Sequence, residues 1–290
     1  MSFQVHHPQS VADAIALSQQ FGDAGRFIAG GTDLVIQINR KRQTPAHLID
    51  LNRLDELAGI AQTPDGFAIG ALATHKAVER HPPFQDALRG LVEAARVVGG
   101  HQVRNIATVG GNIANASPAA DVVVPLLALD ARVSLVGPRG ARTLALGDFL
   151  LGPGRTAREA GELIDCIHIA RLPQRSATAF LKAGRRKAME ISVVCVAARL
   201  TLDDEGRCAA ASLALGAVGA TAMRAGEAEK ALVGRVPDDA ALRDAAQAAA
   251  AACNPISDVR ASARYRRLLV EALVPRALRI CVTRIREGRT

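Results

Sequence analysis

Two stretches of the sequence set small polar side chains around paired glycines. In RFIAGGTDL, Arg26 to Leu34, an apolar run meets Gly30 and Gly31, then Thr32 and Asp33, and an apolar-periodic segment follows. In NIATVGGNIANASPAAD, Asn105 to Asp121, Gly110 and Gly111 again follow an apolar run. Around them stand Thr108, Asn112, Asn115, Ser117 and Asp121. Glycine after a strand lets backbone N–H groups approach a ligand closely, and a helix start beside it presents unpaired N–H groups. Phosphate is the usual beneficiary of that arrangement. Thr32 can add a hydroxyl donor. Asp33 would repel phosphate, so it is expected to cap the following helix or to point away. The amides and carboxylate of the second turn suit a polyol such as ribityl or ribose. Together the turns suit a dinucleotide. A single Gly-Gly pair is more often a plain turn; two pairs in the same setting shift that balance.

Other site patterns fail. GPGRTA at 152–157 matches G-x-G-x-x-A on paper, but Pro153 stiffens it and the next strand follows too soon for a Rossmann helix. Walker A, H-E-x-x-H and G-x-S-x-G patterns are absent. The cysteines at 166, 195, 208, 253 and 281 form no C-x-x-C and lie in apolar surroundings such as SVVCVAARL, which reads as buried free thiols in a reducing compartment. No metal-ligand set, nucleophile or acid–base pair emerges, so no catalytic residue is assigned. A chain of this kind holds a cofactor and lets it do the chemistry.

The elements that must position these turns follow from periodicity. Ser10 with Asp13 opens a helix that Gly22 closes. Strands are expected at 26–29, 47–51 and 66–71, and a helix at 33–40, making a small α/β unit of about residues 1–71. A second unit, about 72–174, begins with one amphipathic helix over Phe84 to Val98, with Leu88, Leu91, Val92, Ala95 and Val98 on one face. Strands at 131–137 and 141–146 follow, joined by the turn at 137–140; the strand at 161–170 leaves the unit. From about 175, three strands read as an antiparallel meander, followed by helices. Pro275 is expected to kink or split the last of these. The fold class is α+β: a two-subdomain α/β module over 1–174, then a domain over 175–290 of a three-stranded antiparallel sheet with helices.

The bulk numbers agree with a globular protein. The 290 residues are 49% hydrophobic and 22% charged, ample for two or three domains. The formal charge is +8, and nine of the arginines fall between Asn254 and Thr290. With aromatics at 3% and no Trp, stacking platforms for nucleic acid are missing, and a solvated arginine face is the better reading. No signal peptide and no membrane span is expected, which places the chain in the cytoplasm.

AGGTDL, QVRNIATVGGNIANASPAAD and FLKAGRRKAMEIS resemble the FAD-binding medium subunit of the molybdenum hydroxylases, the family of xanthine dehydrogenase and carbon monoxide dehydrogenase flavoproteins. SDVRASARYRRLL near the C-terminus fits as well, so the resemblance covers almost the whole chain. It implies non-covalent FAD. Ile28, Ala29, Gly30, Gly31, Thr32, Asp33 and Leu34 would wrap the pyrophosphate. Thr108, Gly111, Asn112, Asn115 and Asp121 would hold the ribityl and phosphate side. Leu163 and Ile164 would lie against the flavin or adenine, and Lys182 near the isoalloxazine. It also implies partners: an iron–sulfur small subunit carrying 2Fe-2S clusters and a large subunit carrying molybdopterin, in a heterotrimer or a dimer of heterotrimers. The cysteine spacing speaks against the extra 4Fe-4S insert of some relatives. Two other readings stay open: a free-standing FAD-dependent oxidoreductase, which would need an acid–base residue over the flavin, and a non-catalytic nucleotide-binding partner protein.

Overall fold

The computed structural model describes residues 2–288 apart from Lys187, so that residue of the FLKAGRRKAMEIS stretch lies outside the described residues. The first unit runs β1 (Gln4–His6), α1 (Val11–Phe21), β2 (Gly25–Ile28), α2 (Leu34–Asn39) and β3 (His47–Asp50). Its strands form a parallel sheet in the order β1-β3-β2. The start of α1 is a reciprocal cap: the Asp13 N–H donates to Ser10 Oγ at 3.1 Å and the Gln9 N–H to the Asp13 carboxylate at 3.2 Å. Ala14, Ile15, Ile49, Leu54 and Leu57 form its core with Leu72 and Leu163 from the next unit.

The second unit contains β4 (Ile60–Thr63), β5 (Gly66–Gly70), α3 (His75–Arg80), α4 (Phe84–Ala87), α5 (Arg89–Arg96), α6 (His101–Ile106), α7 (Val109–Ala114) and α8 (Val123–Ala128). It continues with β6 (Arg132–Gly137), β7 (Gly140–Ala145), α9 (Leu146–Phe149), the hairpin β8 (Leu150–Gly152) and β9 (Arg155–Thr156), and β10 (Leu163–Ala170). The hairpin occupies the GPGRTA segment. The sheet order is β4-β5-β10-β6-β7, antiparallel throughout. This corrects two expectations. The strand at 66–70 joins this sheet and not the first, because its alternating Phe67 and Ile69 register against Ile169 and Ile167 over a shared core. The strand at 163–170 lies at the centre of the sheet and does not lead out of it.

The expected helix over Phe84–Val98 is two helices. The chain breaks at Leu88, at φ −128° and ψ 40°. The break lets Gly90 press against the third unit, where its N–H donates to Thr178 Oγ1 at 2.9 Å. A Cβ at Gly90 would stand 3.0 Å from the Ala179 nitrogen.

The third unit is β11 (Ser176–Ala183), β12 (Val194–Leu202), β13 (Cys208–Gly216), β14 (Met223–Arg224), α10 (Gly226–Lys230), α11 (Asp239–Ala252) and α12 (Ala263–Arg286). Its sheet, in the order β11-β12-β13-β14, is a four-stranded antiparallel meander and not three-stranded. β14 is only two residues long, too short to show an alternating pattern. Both faces of this sheet are covered. Val194, Val196, Ala198 and Leu200 pack with α11 and α12; Cys195, Ala197 and Phe180 join the core of the second unit. That explains the unbroken apolar run of β12. The last helix is not split at Pro275: α12 continues through it, with Val274, Pro275, Ala277 and Leu278 buried. Tertiary packing of that face outweighs the backbone bond that proline removes. Among the described residues no helix is long and apolar enough to cross a membrane.

Candidate functional site

A cleft of about 970 Å³ is bounded by the first and second units. That is the upper end of the ~300–1,000 Å³ typical of small-molecule sites. Ile28, Ala29, Gly30, Gly31, Thr32, Asp33, Leu34, Thr108, Gly111, Asn112, Asn115, Leu163 and Ile164 all line it. The structure thus brings both glycine turns to one place.

Gly30 makes the junction. A Cβ there would lie 1.9 Å from the Ile106 carbonyl oxygen, so a larger residue would push the first turn off the chain that enters the second. Gly110 has a similar duty, since its Cβ would lie 2.7 Å from the Ala71 carbonyl oxygen.

The two turns nevertheless present different chemistry. In the second, the backbone donors are already engaged. Val109 N–H donates to Ala73 O and Gly110 N–H to Ala71 O, both at 2.9 Å. Gly111 N–H donates to Thr108 Oγ1 at 3.0 Å, and Asn112 N–H to the Thr108 carbonyl at 3.0 Å. What this turn offers a ligand is side chains. In the first turn, among the described residues, the N–H groups of Gly30, Gly31, Thr32, Asp33 and Leu34 have no hydrogen-bond partner. Gly31, at φ +68°, takes the left-handed conformation used by anion-binding nests of backbone N–H groups. Asp33 does not cap α2. Burial raises its carboxyl pKa above the ordinary value.

The sequence reading missed several residues of the site. Gln37, one turn into α2, donates from Nε2 to Asn115 Oδ1 at 3.3 Å and accepts from Gln43 Nε2 at 2.6 Å, tying the first turn to the second. Its position four residues beyond Asp33 is the only local signal. Asn112 Oδ1 and Gln43 Oε1 are buried acceptors without a partner at the cleft wall. His75, wholly buried, also borders the cleft, and neither ring nitrogen has a partner. Burial and then the Arg104 charge lower its pKa to about 4, so the imidazole is neutral near pH 7. Arg26 and Arg158 also line the cleft. Free N–H donors and unpartnered amide acceptors lining one cleft fit a group that brings both phosphate oxygens and polar hydrogens. A flavin dinucleotide is such a group.

Asp121 and Lys182 are the exceptions, because neither lines the cleft. Lys182 Nζ donates to the Asp121 carboxylate at 2.6 Å and to the Glu190 carbonyl at 2.8 Å, and Ser192 Oγ donates to the other Asp121 oxygen. Lys182 is neither a surface lysine nor a wall of the cleft; it bolts the second unit to the third. Burial pushes the Asp121 carboxyl up, against the opposing pull of Lys182. Among the described residues no cluster of His, Cys, Asp or Glu could hold a metal ion.

Comparison with known proteins places the chain among flavoproteins. The family described as the FAD binding domain in molybdopterin dehydrogenase matches residues 1–172, and the CO dehydrogenase flavoprotein C-terminal domain matches 179–280. The nicotinate dehydrogenase FAD-subunit of Eubacterium barkeri is 39% identical over 236 residues, 80% of each chain. The carbon monoxide dehydrogenase medium chain of Afipia carboxidovorans is 35% identical over 277 residues, 96% of each. The solved structure of reconstituted CO dehydrogenase from Oligotropha carboxidovorans superposes with a TM-score of 0.94 at 35% identity, over 98% of this chain and 99% of the other.

Proposed function

The chain belongs to the FAD-binding flavoprotein family of the molybdopterin dehydrogenases, and from that membership we propose that it is the FAD-carrying electron-transfer subunit of a molybdopterin-dependent hydroxylase or dehydrogenase. It accepts electrons from the 2Fe-2S clusters of an iron–sulfur small subunit and passes them to a terminal acceptor. The molybdopterin cofactor resides on a large subunit, the three chains form a heterotrimer or a dimer of heterotrimers, and the complex works in the cytoplasm. Residues 1–174 hold the flavin and 175–290 form the C-terminal part.

FAD, bound without a covalent link, supplies the redox chemistry. The chain's own residues hold and orient it. The unpaired N–H groups of Gly30 to Leu34 receive the diphosphate, and this arc is the observation that carries the reading. The side chains of Thr108, Asn112 and Asn115, with Gly111 beneath them, receive the ribityl chain. Leu163 and Ile164, both buried, shield a ring face from water. Asp121 and Lys182 act from behind, keeping the third unit in register with the second turn.

The test is flavin retention. The purified chain should carry about one FAD, released by denaturation without proteolysis. Gly31→Glu puts an anion into the N–H arc, and Gly111→Glu puts one beside Thr108 Oγ1, which a Cβ would already approach to 2.9 Å. Both variants should lose flavin; full occupancy in the two of them would overturn the site.

A further inference from the structure

We propose that Arg26 and Arg158 form an anion- and purine-accepting rim that selects the adenylate half of the bound dinucleotide, so that this chain discriminates FAD from FMN through two guanidinium groups. The inference rests on the flavin reading above and concerns an end of the cleft to which that reading assigns no charged side chain. Gly30 packs on Ile106, so the first turn meets the second at the C-terminal end of β2. Arg26 lies back along the same strand from Ile28, roughly 7 Å away at ~3.3 Å per residue, on the side remote from the second turn. With the ribityl chain on the second turn and the diphosphate on the first, the adenosine is left for this end.

The charges at that end are unbalanced. Glu162 accepts from Arg142 Nε at 2.6 Å and Nη2 at 2.8 Å, and Glu159 is paired with Arg139. Asp23 contributes its backbone carbonyl, which accepts from Arg26 Nη1 at 3.0 Å, as does Gly25 O at 2.7 Å. Arg158 Nη1 reaches only the Glu162 carbonyl, at 3.5 Å. Among the described residues, then, neither Arg26 nor Arg158 is in an ion pair, although carboxylates stand nearby. Desolvation and then the charge of Arg26 lower the Arg158 pKa against the opposing pull of Glu162, as expected of two like charges held at one mouth. Guanidinium matches both halves of an adenylate: it pairs with phosphate oxygens and stacks on a purine face.

The experiment uses the full chain stripped of flavin, titrated calorimetrically with FAD, FMN and ADP at low and raised salt. The wild type should bind ADP and should prefer FAD to FMN. In Arg26→Ala/Arg158→Ala, FAD affinity should fall on the order of 10–100-fold, ADP binding should be lost, and FMN affinity should stay the same. Arg158→Lys in an otherwise native chain should keep the charge and restore most of the ADP binding. Unchanged ADP and FAD affinities in the double variant would overturn the rim, as would equal losses for FAD and FMN, which would signal general damage to the cleft. A wild type that binds ADP but no flavin would overturn the flavin reading instead, with the arginine assignment still decided by the ADP arm. A wild type that binds none of the three would sink both.

Discussion

Lys182 and Asp121 show how one pair of residues can carry two meanings. A lysine near a flavin would favour the reduced anion, and the family resemblance implies that place for it. The structure places it in a mostly buried ion pair with Asp121, with side-chain exposures of 12% for Lys182 and 8% for Asp121. Removing one partner of such a pair leaves a buried charge without compensation and costs about 3–5 kcal/mol. Lys182→Met should therefore lower the denaturant midpoint of the flavin-free chain by a corresponding amount. A stability equal to wild type, with an altered flavin spectrum, would return Lys182 to the isoalloxazine. His75 makes a second prediction at this scale. Its pKa in the fold, about 4, lies below its ordinary 6.5, so the neutral ring is the stable form. Stability is then full above pH 6.5 and falls as the pH drops toward 4, by about 3 kcal/mol in all. Arg104, whose charge acts on the ring, pairs with Glu79, which also pairs with Lys76, and these cations hold the Glu79 carboxyl below its ordinary value. His75→Gln should flatten the acid limb of a stability–pH curve over this range; an unchanged slope would contradict the assignment.

At the level of elements, what the sequence made legible was local. Both glycine turns could be read because conformational freedom and small polar neighbours occur within a few residues of each other. The cap at Ser10 could be read for the same reason. Sheet membership could not, since nothing near Phe67 or Ile69 says that their partners are Ile169 and Ile167. The break at Leu88 depends on Thr178, far away in the chain. The side chains of the cleft that escaped notice, Gln37, His75 and Arg158, become meaningful only when both units fold together. The arginine-rich end divides in the same way. Arg266 is 1% exposed and donates to the carbonyls of Val193 and Ala217 and to Asp258, so the SDVRASARYRRLL motif is a structural brace for β12 and β13. Arg276 is exposed, and Arg279 makes only a surface pair with Asp239 at 2.8 Å, of a kind worth about 0–1 kcal/mol. Arg276→Glu/Arg279→Glu should accordingly leave flavin content unchanged and shift the melting temperature little. Loss of flavin in that double variant would make this face of α12 part of the site.

At the scale of the whole molecule, the chain is an FAD-binding subunit of the molybdopterin dehydrogenase family. Its cleft is lined by backbone donors, amides, the carboxylates of Asp23, Asp33, Glu159 and Glu162 and the guanidinium groups of Arg26 and Arg158, and among the described residues neither nitrogen of its buried, neutral imidazole has a hydrogen-bond partner. Among the described residues it has no metal cluster, and four of its five cysteines are buried, with thiols that burial raises above their ordinary range. A purine, aldehyde or N-heterocycle could be bound by such a cleft only in place of the dinucleotide. The isolated chain loaded with FAD should therefore pass electrons from an artificial reductant to a dye while leaving organic substrates untouched. Addition of the iron–sulfur and molybdopterin subunits should give flavin reduction that follows addition of the organic substrate, seen as bleaching of the oxidised flavin band. Electron transfer of this kind requires the flavin edge to approach a cluster, so bleaching should demand an assembled complex that co-elutes on gel filtration and should fail when docking is blocked. An isolated chain that oxidised an organic substrate at an ordinary enzyme rate, on the order of 10 s⁻¹, would replace the subunit assignment with that of a free-standing flavoenzyme, and the search for its acid–base residue would begin at His75.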